Sequence, residues 1–139
     1  RDPVSVIQSA ATMVAYGRRA IRDSIDVPAI GDYWADRIYK LLEACVRDRS
    51  QIPAAQSIDI LFHEFLADAF ATIEIIYDKA GLVLTDKARS ELQDFMDNHP
   101  RGRYGQVTYH LKRDFDIETA ALREKFQFYF DAFPVKAEI

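Results

Sequence analysis

Cysteine is almost missing from this chain: Cys45 stands alone among 139 residues. A single thiol excludes an intrachain disulfide and a zinc site built from cysteines. It also fits a reducing compartment, so the expected location is cytoplasmic. Histidine is scarce, and His63, His99 and His110 fall on separate stretches. None shows the i, i+4 pairing of helical zinc sites, so no metal is expected. There is no G-x-S-x-G elbow and no Ser/His/Asp order to support a hydrolase triad. No apolar run is long enough to span a bilayer, and no signal-peptide pattern is present. A basic excess is lacking too: 18 Lys and Arg face 22 Asp and Glu, for a net charge of −4. Binding along a nucleic-acid backbone demands a basic surface, so a general nucleic-acid partner is excluded and any polyanion site must be local.

What is present reads as one globular region over residues 1–139, with 49% hydrophobic and 29% charged residues. "RDPVSVIQS" opens like the end of a loop and the start of a helix. Asp2 suits an N-cap and Pro3 a first helical residue, because proline lacks the N–H that would be orphaned there. The stripe Val4, Ile7, Ala11, Val14 and Ile21 predicts a helix from Pro3 to about Arg22. "DVPAIGD" reads as a break, since proline and glycine both punctuate. A second helix is expected over Asp32–Asp48, with Trp34, Ile38, Leu41, Leu42 and Cys45 on one buried face. "SIDILF", Ser57–Phe62, is short and nearly all apolar, the pattern of a strand buried on both faces. Asp68 and Thr85 can each cap a helix, the first stopped by Gly81 and the second ending near Asn98. An irregular stretch follows to Asp116, then a last helix over Ile117–Phe133 with an aromatic stripe. The expectation is a mostly helical chain with one short strand, either a helical domain with one extended segment or, as the abrupt start favours, part of an α/β fold whose parallel sheet is completed by an upstream half.

Two stretches could carry chemistry. At the opening, a helix N-terminus attracts anions, and Arg1 can fork onto a phosphate with two parallel hydrogen bonds. Ser9, two turns on, could approach the same anion, although a serine inside an alanine-rich helix also serves plain packing. In "PRGRYG", Gly102 and Gly105 are flanked by Arg101 and Arg103. Such a loop could cradle an anion with its backbone N–H groups, or could simply join two helices.

Together these stretches resemble the C-terminal half of a sulfotransferase that uses the donor phosphoadenosine phosphosulfate (PAPS), of the bacterial, actinobacterial type. "RDPVSVIQS" resembles that family's R-(D/N)-P…S motif, "ILFHEFLADAFATIEIIYDKAGL" its strand-and-helix segment, and "PRGRYG" with "YHL" its glycine loop. The resemblance implies that Arg1 and Ser9 hold the donor's ribose phosphate and that Arg101, Gly102 and Arg103 clamp it. Phe62 stands where cytosolic members place a tyrosine near the adenine, so the ring is kept and the hydroxyl lost. Ala69 replaces a usual proline, and Pro100 a frequent basic residue. The family's P-loop-like lysine segment and general base are not in these 139 residues. The expected partner is therefore an upstream half of the same protein, without which this chain should not catalyse. The implied reaction is transfer of a sulfuryl group to the hydroxyl of a small molecule, lipid or glycan. The competing expectation is a helical interaction module with no nucleotide site.

Overall fold

A computed structural model describes residues 1–100, 102–103, 105 and 110–139. The chain divides into two compact units, Arg1–Ile52 with Tyr109–Ile139, and Pro53–Thr108.

In the first unit, α1 (Pro3–Arg19) starts as the sequence requires. The Asp2 carboxylate accepts the Val4 N–H at 2.9 Å, and Pro3 takes the first position. The helix ends at Arg19, leaving Ile21 exposed rather than on the expected stripe. α2 (Val27–Asp48) starts earlier than expected. Asp26 caps it through Ala29, 3.0 Å away, and Pro28 lies in the first turn, where its missing N–H costs nothing. What read as a break is therefore a helix start. α1 packs on α2 through Val4, Ile7, Ala11 and Ala15 against Ile30, Ala35 and Ile38. Gly31 is buried inside α2, where a side chain would meet Ile117 and Phe115. Cys45 is exposed, as is Leu41, because both lie beyond Ile38, the last buried residue of the helix. The expected buried face thus ends early.

The last helix expected over Ile117–Phe133 is two short helices, and a third precedes them. α6 (Leu111–Phe115) falls inside the stretch expected to be irregular and buries Leu111 and Phe115. Asp116 stops it in the left-handed conformation, φ 58°. α7 (Thr119–Lys125) and α8 (Gln127–Ala132) are separated by Phe126, which leaves helical geometry at φ −97°, ψ 10° and is fully buried. Its ring lies edge-on to Tyr39 of α2, 5.7 Å away.

The second unit holds α3 (Phe62–Ala67), α4 (Ala69–Lys79) and α5 (Asp86–Asn98). Asp68 caps α4 and Thr85 caps α5 through side-chain oxygens, as expected. Gly81, at φ +67°, ends the α4 turn, with Leu82 N–H bonded back to the Tyr77 carbonyl at 2.9 Å.

The expected strand and parallel sheet are not found among the described residues. Ser57 and Leu61 have extended backbone, but Phe62 already opens α3. The apolar run gives extended conformation, whereas a strand exists only through the ladder it forms with a second segment. No such ladder involves residues 57–61, and the described chain is helical.

Candidate functional site

The opening of α1 is held by charges from the far end of the chain. Arg1 Nε donates to both carboxylate oxygens of Glu138 at 3.1 Å, and its Nη2 donates to Oε2 at 3.0 Å. The Asp2 N–H donates to Glu138 Oε1 at 3.3 Å. In return, the Glu138 N–H donates to Asp2 Oδ2 at 2.8 Å. Asp2 is fully buried, and Arg123 of α7 reaches the same oxygen at 3.4 Å while also bonding the Ile139 carbonyl. One carboxylate therefore caps the helix and anchors the tail, and a second is seated on the arginine fork.

These contacts change what the helix start can offer an anion. Pro3 has no N–H, Val4 donates to the Asp2 side chain, and Val6 donates to the Asp2 carbonyl at 3.1 Å. The N–H groups of Val4 and Val6 are thus already used, and the Arg1 guanidinium holds the Glu138 carboxylate. Ser9 lies on α1 about 9 Å of helical rise beyond Pro3 and is exposed.

The other candidates lie in the second unit. Phe62 is the first residue of α3 and half-buried. Gly102 and Gly105 have φ of +80° and +88°, which only glycine adopts without strain. The loop bonds to itself: Arg103 N–H to the Pro100 carbonyl at 3.2 Å, and Gly105 N–H to the Gly102 carbonyl at 2.8 Å. Two N–H groups of the expected cradle thus close turns. The Arg103 guanidinium donates to the Asn98 carbonyl at the end of α5. Arg101 lies outside the described residues. Arg1 and Ser9 therefore share one unit, and Phe62, Gly102 and Arg103 the other.

The histidines have local roles. His99 stacks on Phe95 at 4.2 Å between ring centroids, and its Nδ1 lies 2.8 Å from the Phe95 carbonyl. The His110 N–H donates to Asp114 Oδ2 at 2.9 Å. Arg113, first, and this N–H, second, pull the Asp114 carboxyl down to about 2. No group of His, Cys, Asp and Glu fit to hold a metal occurs among the described residues. None of the described helices is long and apolar enough to cross a membrane.

Residues 1–86, which include the whole of α1 with Arg1 and Ser9, match the Sulfotransferase family. The chain belongs to that family. The resemblance carried by "RDPVSVIQS" and the segment around Phe62 is thereby borne out at the level of the family. In fold, this sulfotransferase-family chain is similar to the crystal structure of sulfotransferase STF9 from Mycobacterium avium, with a TM-score of 0.84 and 21% identity. The likeness covers 99% of this chain and 36% of that one, so the chain spans about a third of the relative's length. No curated protein sequence matches it.

Sequence reasoning missed Glu138 and Arg123 as parts of this arrangement. They lie 137 and 122 positions from Arg1. The only signal near the tail was an acidic residue in "PVKAEI", which by itself says nothing about its partner.

Proposed function

We propose that the protein is a sulfotransferase that transfers a sulfuryl group from PAPS to an acceptor hydroxyl, and that this chain contributes contacts to the donor's ribose phosphate. The observation that carries the reading is the family match over the stretch holding the Arg1–Ser9 pair. The fork of Arg1 suits a phosphate, since it already grips a carboxylate through two nitrogens. Ser9 offers a hydroxyl on the same helix. By the family resemblance, Phe62 would lie against the adenine, the Arg101 and Arg103 guanidinium groups would neutralise a phosphate, and Gly102 would belong to the loop that clamps it. Sulfuryl transfer resembles phosphoryl transfer in resting on positioning and charge neutralisation, work that arginines and hydroxyls perform without a metal. The acceptor class is a small molecule, lipid or glycan bearing a hydroxyl, and the setting is the cytoplasm.

A thermal-shift titration of the full-length protein with adenosine 3′,5′-bisphosphate, the spent donor, tests this. Ligand at ~100 times Kd stabilises by about 2.7 kcal/mol, a rise of several degrees in the midpoint. The rise should be absent with AMP and lost in Arg1→Ala. Equal shifts with both nucleotides, or none with the bisphosphate, would overturn the ribose-phosphate assignment.

A further inference from the structure

We propose that Glu138 is a resident anion of the Arg1 site, which the donor's ribose phosphate must displace; the inference rests on the donor-site reading above. Arg1 holds the Glu138 carboxylate through Nε and Nη2, the geometry of a fork on a phosphate. Its neighbouring N–H, that of Asp2, points at the same carboxylate. Two anions cannot share one pair of N–H donors. A phosphate arriving beside Glu138 would also face a carboxylate at close range, and like charges at such separations oppose binding.

The charge balance of the cluster points the same way. The side chains of Arg1 and Arg123 are matched by those of Asp2 and Glu138. Among these four side chains the charges balance. Asp2 is buried and caps α1, so it stays. Glu138 is the removable partner. It lies beyond α8, outside the described helices, and its side chain is 28% exposed. Withdrawing it removes a carboxylate from the Arg1 fork where the phosphate would bind. Donor entry and release of the Glu138 side chain from Arg1 become one event.

Calorimetric titration of the full-length protein with adenosine 3′,5′-bisphosphate tests this in four forms: wild type, Glu138→Gln, Glu138→Ala and Arg1→Ala. Gln keeps the shape and the backbone bond to Asp2 while removing the charge; Ala removes the side chain as well. Displacement requires that both variants bind at least about fivefold more tightly than wild type, with Ala the tighter. Arg1→Ala should bind far more weakly than any of them. Unchanged affinity in both Glu138 variants, with loss in Arg1→Ala, overturns the displacement and leaves the donor site intact. Weaker binding in the variants also overturns it, since Glu138 would then be orienting Arg1 for the phosphate. Absence of binding in all four forms overturns the donor site and the displacement together. The wild-type far-ultraviolet spectrum and unfolding midpoint, repeated for each variant, keep a folding defect from passing as lost affinity.

Discussion

Gly31 shows how a single hydrogen can decide a packing distance. A Cβ placed there would lie 2.8 Å from Ile117 Cδ1 and 3.0 Å from Phe115 Cβ. In an exposed helix, alanine would be better than glycine by about 1 kcal/mol. Here overpacking costs ~1–3 kcal/mol, and the near contact is partly to the root of a side chain that cannot swing away. Gly31→Ala should therefore destabilise the protein in denaturant titrations. Ile117→Val, which removes the methyl nearest the new Cβ, should recover part of the loss; an unchanged or raised midpoint in Gly31→Ala would show that the helices simply part. Asp114 makes a second prediction at this scale. Its carboxyl is lowered to about 2 by Arg113 and the His110 N–H. A depressed acid contributes stability above its unfolded value, near 3.9, and loses it as pH falls through the folded value. The contribution should vanish between about pH 4 and pH 2. Asp114→Asn should flatten the pH dependence of stability across that window, measured by denaturation at stepped pH, and an unaltered profile would rule the carboxylate out.

At the scale of the element, what could be read in advance was whatever a helix settles with its own neighbours. Asp2, Asp68 and Thr85 cap helices because a short side-chain oxygen meets an N–H two or three residues on, and that geometry is local. Gly81 ends α4 for the same kind of reason. Asp26 was overlooked as a cap because Pro28 and Gly31 after it read as punctuation. Proline in a first turn and glycine at a close approach are both compatible with a helix, and only packing tells them from a break. The division of the last helix at Phe126 is likewise tertiary: the ring turns into the core against Tyr39. The candidate site follows the same division. Arg1 and Ser9 could be named as candidates from their motif, whereas the Glu138 contact with Arg1 depends on a return of the chain that no local pattern encodes. Asp2 joins the two kinds of information, because it caps α1 and also anchors the tail and Arg123. Asp2→Ala should cost about 1 kcal/mol for the cap and ~1–3 kcal/mol more for the charged partners it leaves. Asp2→Asn should retain the cap and lose the rest. If Asp2→Asn unfolds with the wild type, the ion cluster contributes nothing and α1 depends on its cap alone; if it unfolds with Asp2→Ala, the cap contributes nothing.

Across the molecule, the two units differ in what they bury. The first gathers its buried side chains from α1, α2 and the three short helices after Leu111, with Val4, Ile7 and Phe126 fully enclosed. In the second, Thr72 is the sole buried residue among those described, and Leu82, Val83, Ile75 and Phe95 remain exposed. Local stability follows buried apolar contact, since opening a segment costs little when it uncovers little. Helices as short as those of the second unit also have little stability of their own. The pair Arg89–Glu74 and the placement of Arg89 over Phe70 tie α5 to α4, but exposed ion pairs contribute only ~0–1 kcal/mol. Amide hydrogen exchange of this chain should therefore show two tiers: slow exchange in the buried turns of α1 and α2, and faster exchange throughout α4 and α5. The same experiment with adenosine 3′,5′-bisphosphate in the full-length protein should slow the second tier if Phe62, Gly102 and Arg103 contact the nucleotide. Protection confined to α1 would assign the ribose phosphate to Arg1 and Ser9 alone, and would remove the glycine loop from the site.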